Sequence, residues 1–299
     1  MWGDNSFGQL PLPNDRILVP TLCELPWPVR HLACYNATTA VITCDGSLFV
    51  WGRAISYQRT GTNPYTPCTH LPFPEPIISV EIGYKGLMIL TLSGQVYSLG
   101  RNSDGFLGLG EIEGVDTFTL VELPLPCLQL KVNSSSSCAI AIDGSLYAWG
   151  HNGFGKLGLG LPITSYLPSK VSVPEDKGVV SVSIGEGHTA VLTTDGRCYM
   201  YGGIEGWHRN AQLHVASSTE LKTPTPCKLV TCTYNFCIVS TYNEVKAWKL
   251  TSGEIVDLKF KGAIQAMSVV YDQVWFLSAG KYYRLPRVAC DPVQLTLSS

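Results

Sequence analysis

Two histidines, His208 and His214, lie close enough in this 299-residue chain to share a metal ion, and Cys227, Cys232 and Cys237 follow as possible thiolate ligands. The spacing argues against such a centre. The three cysteines recur at intervals of five, and in one extended strand an odd interval puts successive thiols on opposite faces. None of the eleven cysteines forms a Cys-x-x-Cys pair. The Gly-x-Gly triplets Gly108-Leu109-Gly110 and Gly158-Leu159-Gly160 lack the Lys-Ser/Thr and the following helix of a phosphate loop. No Gly-x-Ser-x-Gly elbow presents a nucleophile. The expectation is a chain without catalytic residues, without a metal site and without a cofactor.

The elements that would position any functional residue repeat. A tight turn, a short strand and an aromatic-Gly pair occur as Asp45-Gly46-Ser47-Leu48-Phe49-Val50-Trp51-Gly52 and again from Asp143 and Asp195, and the copy from Ser93 closes on Leu99-Gly100. Weaker copies start at Tyr242 and Ala279. An apolar run precedes each turn, as in Thr39-Ala40-Val41-Ile42-Thr43, and another β-rich run lies upstream, as in Val179–Ile184. Asp-Gly predicts a type I′ hairpin turn, with Asn243 standing in for Gly in the fifth copy. Leu48 and Val50 would face one way, and Phe49 and Trp51 the other. A looser fourth strand is expected near each Pro-rich stretch, such as Leu120–Pro124. A four-stranded unit recurring about every 50 residues reads as a propeller blade. The fold class expected is therefore all-β: a single β-propeller over residues 1–299, with six recognisable four-stranded blades, or seven with one incomplete. Segment 203–225 reads as a loop insertion, and Pro292–Leu297 as a strand able to pair near the N-terminus.

Composition agrees. Charged residues make up 15% of the chain, against about 25% in typical globular domains. The formal charge of −2, with no Lys/Arg run, argues against a nucleic-acid partner held through phosphates. The N-terminus lacks the charged and apolar regions of a signal peptide, and no apolar run approaches the length of a membrane span. A cytoplasmic or nuclear monomer is expected. Cys44, Cys138, Cys198 and Cys237 lie in apolar strand patterns, where a thiol acts as a small hydrophobe. Asn36-Ala37-Thr38 and Asn133-Ser134-Ser135 match a glycosylation pattern that carries little weight without a secretory route.

A longer signature follows the aromatic-Gly pair. It runs Gly150-His151-Asn152-Gly153-Phe154-Gly155-Lys156-Leu157-Gly158-Leu159-Gly160, with relatives at Gly100–Gly110 and Trp2–Leu10. Together with Ile184-Gly185-Glu186-Gly187-His188-Thr189-Ala190-Val191 it resembles the repeat of the regulator of chromosome condensation family, over roughly residues 1–250. The resemblance implies a propeller, commonly of seven blades. In that family a guanine-nucleotide exchange factor engages a small GTPase through acidic residues in the loops between the first and second strands. Only Glu186 matches here; Asn36, Tyr84, Ser134, Thr233 and Val270 occupy the corresponding places.

Those loops are the candidate partner-binding face. Aligned on the repeat, they carry Tyr35 and Asn36, Tyr84 and Lys85, Ser134 to Ser136, Glu186 and His188, Tyr234 and Asn235, and Tyr271 and Asp272. Tyrosines beside short polar residues suit a protein partner, because they give contact area at low entropic cost. The function expected is a non-catalytic protein–protein interaction scaffold. Exchange activity on a small GTPase is the alternative, and His188, though placed on this face, reads as a structural residue bonding within its blade rather than as a working one.

Overall fold

The computed structural model describes residues 3–18, 21–53, 65–84, 86–203, 218–242, 244–250, 255–257, 264–270, 273–278 and 281–284. Five four-stranded antiparallel meanders follow one another along the chain. Blade 1 comprises Val29–Tyr35, Thr38–Thr43, Leu48–Arg53 and Tyr65–Leu71. Blade 2 comprises Ile77–Ile82, Gly86–Thr91, Val96–Arg101 and Gly114–Val121, and blade 3 Cys127–Asn133, Ser136–Ala141, Leu146–Gly150 and Ser165–Lys170. Blade 4 has Val179–Ile184, His188–Thr193, Cys198–Gly202 and Thr219–Glu220; blade 5 has Leu229–Cys232, Phe236–Ser240, Val245–Lys249 and Ile255–Asp257. Three strands of blade 6 follow, Ala266–Val270, Gln273–Ser278 and Lys281–Arg284, and Gly3–Asp4 pairs with Arg16–Ile17 ahead of blade 1. The described fold is all-β, and each four-stranded sheet is a propeller-type blade. The two weak sequence copies are genuine hairpins. Asn243 and the Pro292–Leu297 segment lie outside the described residues, as does most of the 203–225 insertion, whose end supplies the short fourth strand of blade 4.

The chain divides into two compact units. One holds Met1–Ile142, Trp149–His151 and Ser165–Pro168; the other holds Asp143–Ala148, Asn152–Thr164 and Ser169–Ser299. In the first, Ala40, Ile42, Leu48 and Val50 of blade 1 pack on Ile77, Val80, Ile82, Leu87 and Ile89 of blade 2. In the second, Leu192, Cys198 and Met200 of blade 4 pack on Val230, Cys237, Val239 and Trp248 of blade 5, while Phe236 and Ile238 meet Val274 and Phe276 of blade 6. The second strands of blades 1 to 5 are buried at every residue. Sheets stacked on both faces need apolar or hydrogen-bonded side chains on both, so these strands read as continuous runs where a one-sided sheet would alternate.

The Asp-Gly turns differ from expectation. Gly46, Gly94, Gly144 and Gly196 have positive φ, but the residues before them do not. The Gly46 N–H donates to the Thr43 carbonyl and the Thr43 N–H to the Ser47 carbonyl, each at 3.0 Å. This is a type I turn followed by a glycine bulge, a three-residue link. The aspartate serves as a local cap instead. Asp143 accepts the Ser145 N–H and hydroxyl, each at 2.9 Å, and these bonds hold its carboxyl below the usual carboxylate range. Cys44 is the first central residue of its turn and is exposed, whereas Cys138, Cys198 and Cys237 are buried.

Positive φ at both central residues, the mark of type I′, falls at Asn36 (45°) and Ala37 (64°) between the first two strands of blade 1. Alanine is strained there. Ala37→Gly is expected to stabilise the protein by about 1 kcal/mol and to raise Tm by roughly 2–4 °C, read by calorimetry.

Lys131 Nζ lies 2.5 Å from Glu81 Oε1, joining the first strands of blades 3 and 2. Burial pushes the Glu81 carboxyl up and Lys131 draws it back only in part. A carboxyl raised in the folded state binds its proton more tightly there, so its contribution to stability falls as pH rises through the window above its ordinary value. Lys131→Met removes the compensating charge. The expected cost is about 2 kcal/mol at pH 7, shrinking as pH falls toward 4, in urea titrations at both pH values.

Candidate functional site

A meander puts the turn between strands one and two at the same end of a blade as the connection between strands three and four. Both are ordered at this end by one repeated device. Asn152 is fully buried; its Nδ2 donates to the Leu161 carbonyl (2.7 Å) and its Oδ1 accepts the Leu157 N–H (2.9 Å). Asn102 does the same with Gly110 (2.7 Å) and Leu107 (2.8 Å), and Asn5 with Leu12 (2.8 Å) and Leu10 (2.7 Å). Each asparagine thus closes its own long connection. The closed connection then latches onto the next blade. Trp51 Nε1 donates to the Gln9 carbonyl at 3.0 Å and Trp149 Nε1 to the Phe106 carbonyl at 2.9 Å. Thr39 and Ser137 hydroxyls reach the same two carbonyls at 2.6 and 3.1 Å.

On this support the candidate residues separate. In the first unit, Tyr84 is 53% exposed while its N–H donates to the Ser134 carbonyl at 2.8 Å. Tyr35 is half-buried against the core of blades 1 and 2, so only part of its ring reaches solvent. Asn36 is half-buried in its tight turn. Ser136 is buried and donates to the His151 carbonyl at 2.8 Å. In the second unit, Tyr234 is 44% exposed and Asn235 half-buried. Glu186 is half-buried, and its backbone carbonyl accepts from Lys156 Nζ at 2.9 Å. His188 must be removed from the face: it has no exposed surface, because it opens the buried second strand of blade 4. Lys85, Tyr271 and Asp272 lie outside the described residues.

The Regulator of chromosome condensation (RCC1) repeat matches residues 143–192, from the Asp-Gly turn of blade 3 through its Asn152 connection into the second strand of blade 4. That segment is an RCC1 repeat, set in a chain whose four-stranded sheets are propeller-type blades. The ultraviolet-B receptor UVR8 of Arabidopsis thaliana is 30% identical across 90% of this chain and 54% of its own length. The probable E3 ubiquitin-protein ligase HERC6 of Homo sapiens is 28% identical across 74% of this chain and 23% of its own. The chain therefore spans about half or less of these curated relatives. Among solved structures, human WBSCR16 superposes with a TM-score of 0.78 at 17% identity, over 94% of this chain and 85% of that one. Prp20p of Saccharomyces cerevisiae, described with its binding to Gsp1p and histones, gives 0.64 at 17% identity, over 80% and 66%. These two likenesses show the fold.

Seen as RCC1 repeats, blades 3 and 4 hold a feature that sequence spacing hides. Lys156 is 1% exposed and spans from its connection to the Glu186 carbonyl. The equivalent places carry Gln9 and Phe106, so this lysine is particular to one repeat and its alignment there is the signal that could have found it. Among the described residues, no group of three or more His, Cys, Asp or Glu is placed to hold a metal ion. None of the described residues forms a helix long and apolar enough to cross a membrane.

Proposed function

We propose that this chain is a non-catalytic protein-interaction module whose contact residues lie on the turns between first and second strands. The observation that carries this reading is the pairing of exposed tyrosines with pinned backbone. Tyr84 and Tyr234 expose 53% and 44% of their surface. The Tyr84 turn is tied to Ser134, and the Tyr234 turn is held by Thr233 Oγ1, which accepts the Asn235 and Phe236 N–H groups at 3.2 and 3.0 Å. An aromatic ring on a fixed turn loses little entropy when a partner covers it. Asn36, Glu186 and Asn235 supply polar contacts, and Lys85, Tyr271 and Asp272 would extend the surface. On this reading residues 1–299 act as one domain, for which a single calorimetric transition is expected and two resolvable transitions would argue otherwise.

The test is the double variant Tyr84→Ala/Tyr234→Ala against a partner isolated by affinity capture. Each deletion is expected to cost about 1–2 kcal/mol of binding, together roughly a hundredfold in Kd, with Tm shifted by no more than about 1 °C. Undiminished binding would remove the tyrosine turns from the account.

A guanine-nucleotide exchange reading draws support from Prp20p and its binding to Gsp1p. Here Glu186 is the acidic residue on a matching turn, and its carbonyl is already engaged by Lys156. The expected result with a panel of small GTPases is no acceleration of nucleotide release. Acceleration that Glu186→Ala abolishes would reverse the ranking.

A further inference from the structure

Two cysteines of blade 5 meet in a way that the contact surface does not use. Cys232 ends the first strand and Cys237 lies in the second, and the two are direct register partners. The Thr233 N–H donates to the Phe236 carbonyl at 2.8 Å, which makes that neighbouring pair the hydrogen-bonded one. Facing pairs alternate along an antiparallel ladder. Cys232 and Cys237 therefore form a non-hydrogen-bonded pair, with Cα atoms about 4.5 Å apart and side chains at their closest. That separation lies within the roughly 4.4–6.8 Å a disulfide spans.

The surroundings distinguish the two sulfurs. The Cys232 N–H donates to Ser183 Oγ at 2.9 Å and its thiol lies 3.2 Å from the Ser183 carbonyl, fixing its position. Cys232 keeps 6% exposure and Cys237 none. His188, with no exposed surface, lies beside the Cys232 thiol from the neighbouring blade. Burial opposes ionising Cys232, but the Cys237 thiol and His188 outweigh it and hold Cys232 below the usual thiol range; burial pushes Cys237 up. Cys232, which keeps the residual exposure, is placed to meet an oxidant, and the fully buried Cys237 is placed to resolve.

We propose that Cys232 and Cys237 are an oxidisable dithiol, a modification site at which hydrogen peroxide closes a cross-strand disulfide. The Cys232 sulfur attacks one peroxide oxygen and the O–O bond breaks. Cys232 sulfenic acid forms, and the departing hydroxide leaves as water with the Cys232 proton. The Cys237 sulfur then attacks the sulfenic sulfur. The S–S bond forms, the S–O bond breaks, and a second water carries off the Cys237 proton. Two thiols lose two electrons in all, and one peroxide becomes two waters. The disulfide would staple the turn that carries Tyr234; that consequence alone rests on the contact-surface reading.

The test uses the folded full chain exposed to hydrogen peroxide, then denatured, alkylated and cut with trypsin. Residues Leu229–Lys246 form one tryptic peptide whose only cysteines are Cys232 and Cys237. The expected product is that peptide unalkylated and two hydrogens lighter than its free dithiol, restored to double alkylation by prior dithiothreitol. Double alkylation after peroxide, separate oxygen additions on the two sulfurs, or a link from either to Cys198 would overturn the proposal. In Cys237→Ala, dimedone should trap the sulfenic acid on Cys232, and its absence there would overturn the assigned order. His188→Gln should slow disulfide formation about tenfold, and an unchanged rate would discard the role given to His188.

Discussion

Replacing Trp149 with alanine is expected to lower stability by about 4 kcal/mol and Tm by roughly 8–16 °C. The indole has no exposed surface, and its N–H reaches the Phe106 carbonyl at 2.9 Å. Gly108, at φ +71°, passes so close that a β-carbon there would sit 2.8 Å from the indole nitrogen. A backbone this tightly fitted to the ring has little room to collapse, so the cavity stays open and its full cost is felt. The Phe106 carbonyl keeps Ser137 Oγ at 3.1 Å, so the lost hydrogen bond is the smaller part. Trp149→Phe separates the two terms and should cost about 1–2 kcal/mol. Urea unfolding of both variants reads the difference; a loss below about 1 kcal/mol for alanine would contradict the blade-to-blade latch.

Asn152→Ala is expected to cost about 3 kcal/mol. Its amide satisfies one buried N–H, that of Leu157, and one carbonyl, that of Leu161. Alanine leaves the Leu157 N–H without a partner where Leu157 is 2% exposed. Asn152→Asp keeps the acceptor, loses the donor and buries a charge, so it should be no milder. Amide hydrogen exchange supplies a local readout: Leu157 should lose protection ahead of the blade strands. Retained protection would mean that the connection is held by something other than Asn152.

Much of this architecture was legible in the residues. The first four hairpins are legible because a glycine turn and a residue-Gly pair (Trp51-Gly52, Leu99-Gly100, Trp149-Gly150, Tyr201-Gly202) punctuate each, and the copies from Tyr242 and Ala279 keep only parts of that pattern. Asp45-Gly46 as a dipeptide points to type I′, but its neighbours decide otherwise. The hydroxyl of Thr43 donates to the Asp45 carboxylate and Ser47 N–H donates to the same carboxylate, and these bonds favour the three-residue link. The Cys232–Cys237 pair was hidden because the turn between them, Thr233-Tyr234-Asn235, contains neither Gly nor Pro. Read as one strand, the thiols point apart; folded as a hairpin, they face each other. His188 looked like a surface group because its Gly-rich approach resembles an exposed loop, yet the strand it opens is buried throughout. Lys156 shows the same limit in reverse: a cation in a polar-looking loop is 1% exposed because a backbone carbonyl on the next turn receives it.

Photo-crosslinking bears most directly on the claim that partners meet the turns between first and second strands. A photoreactive phenylalanine analogue would replace Tyr84 or Tyr234, and, at the opposite blade end, Leu92 or Tyr242, which are 64% exposed alike. Partner adducts are predicted at positions 84 and 234 and not at 92 and 242. Adducts confined to 92 and 242 would contradict the account.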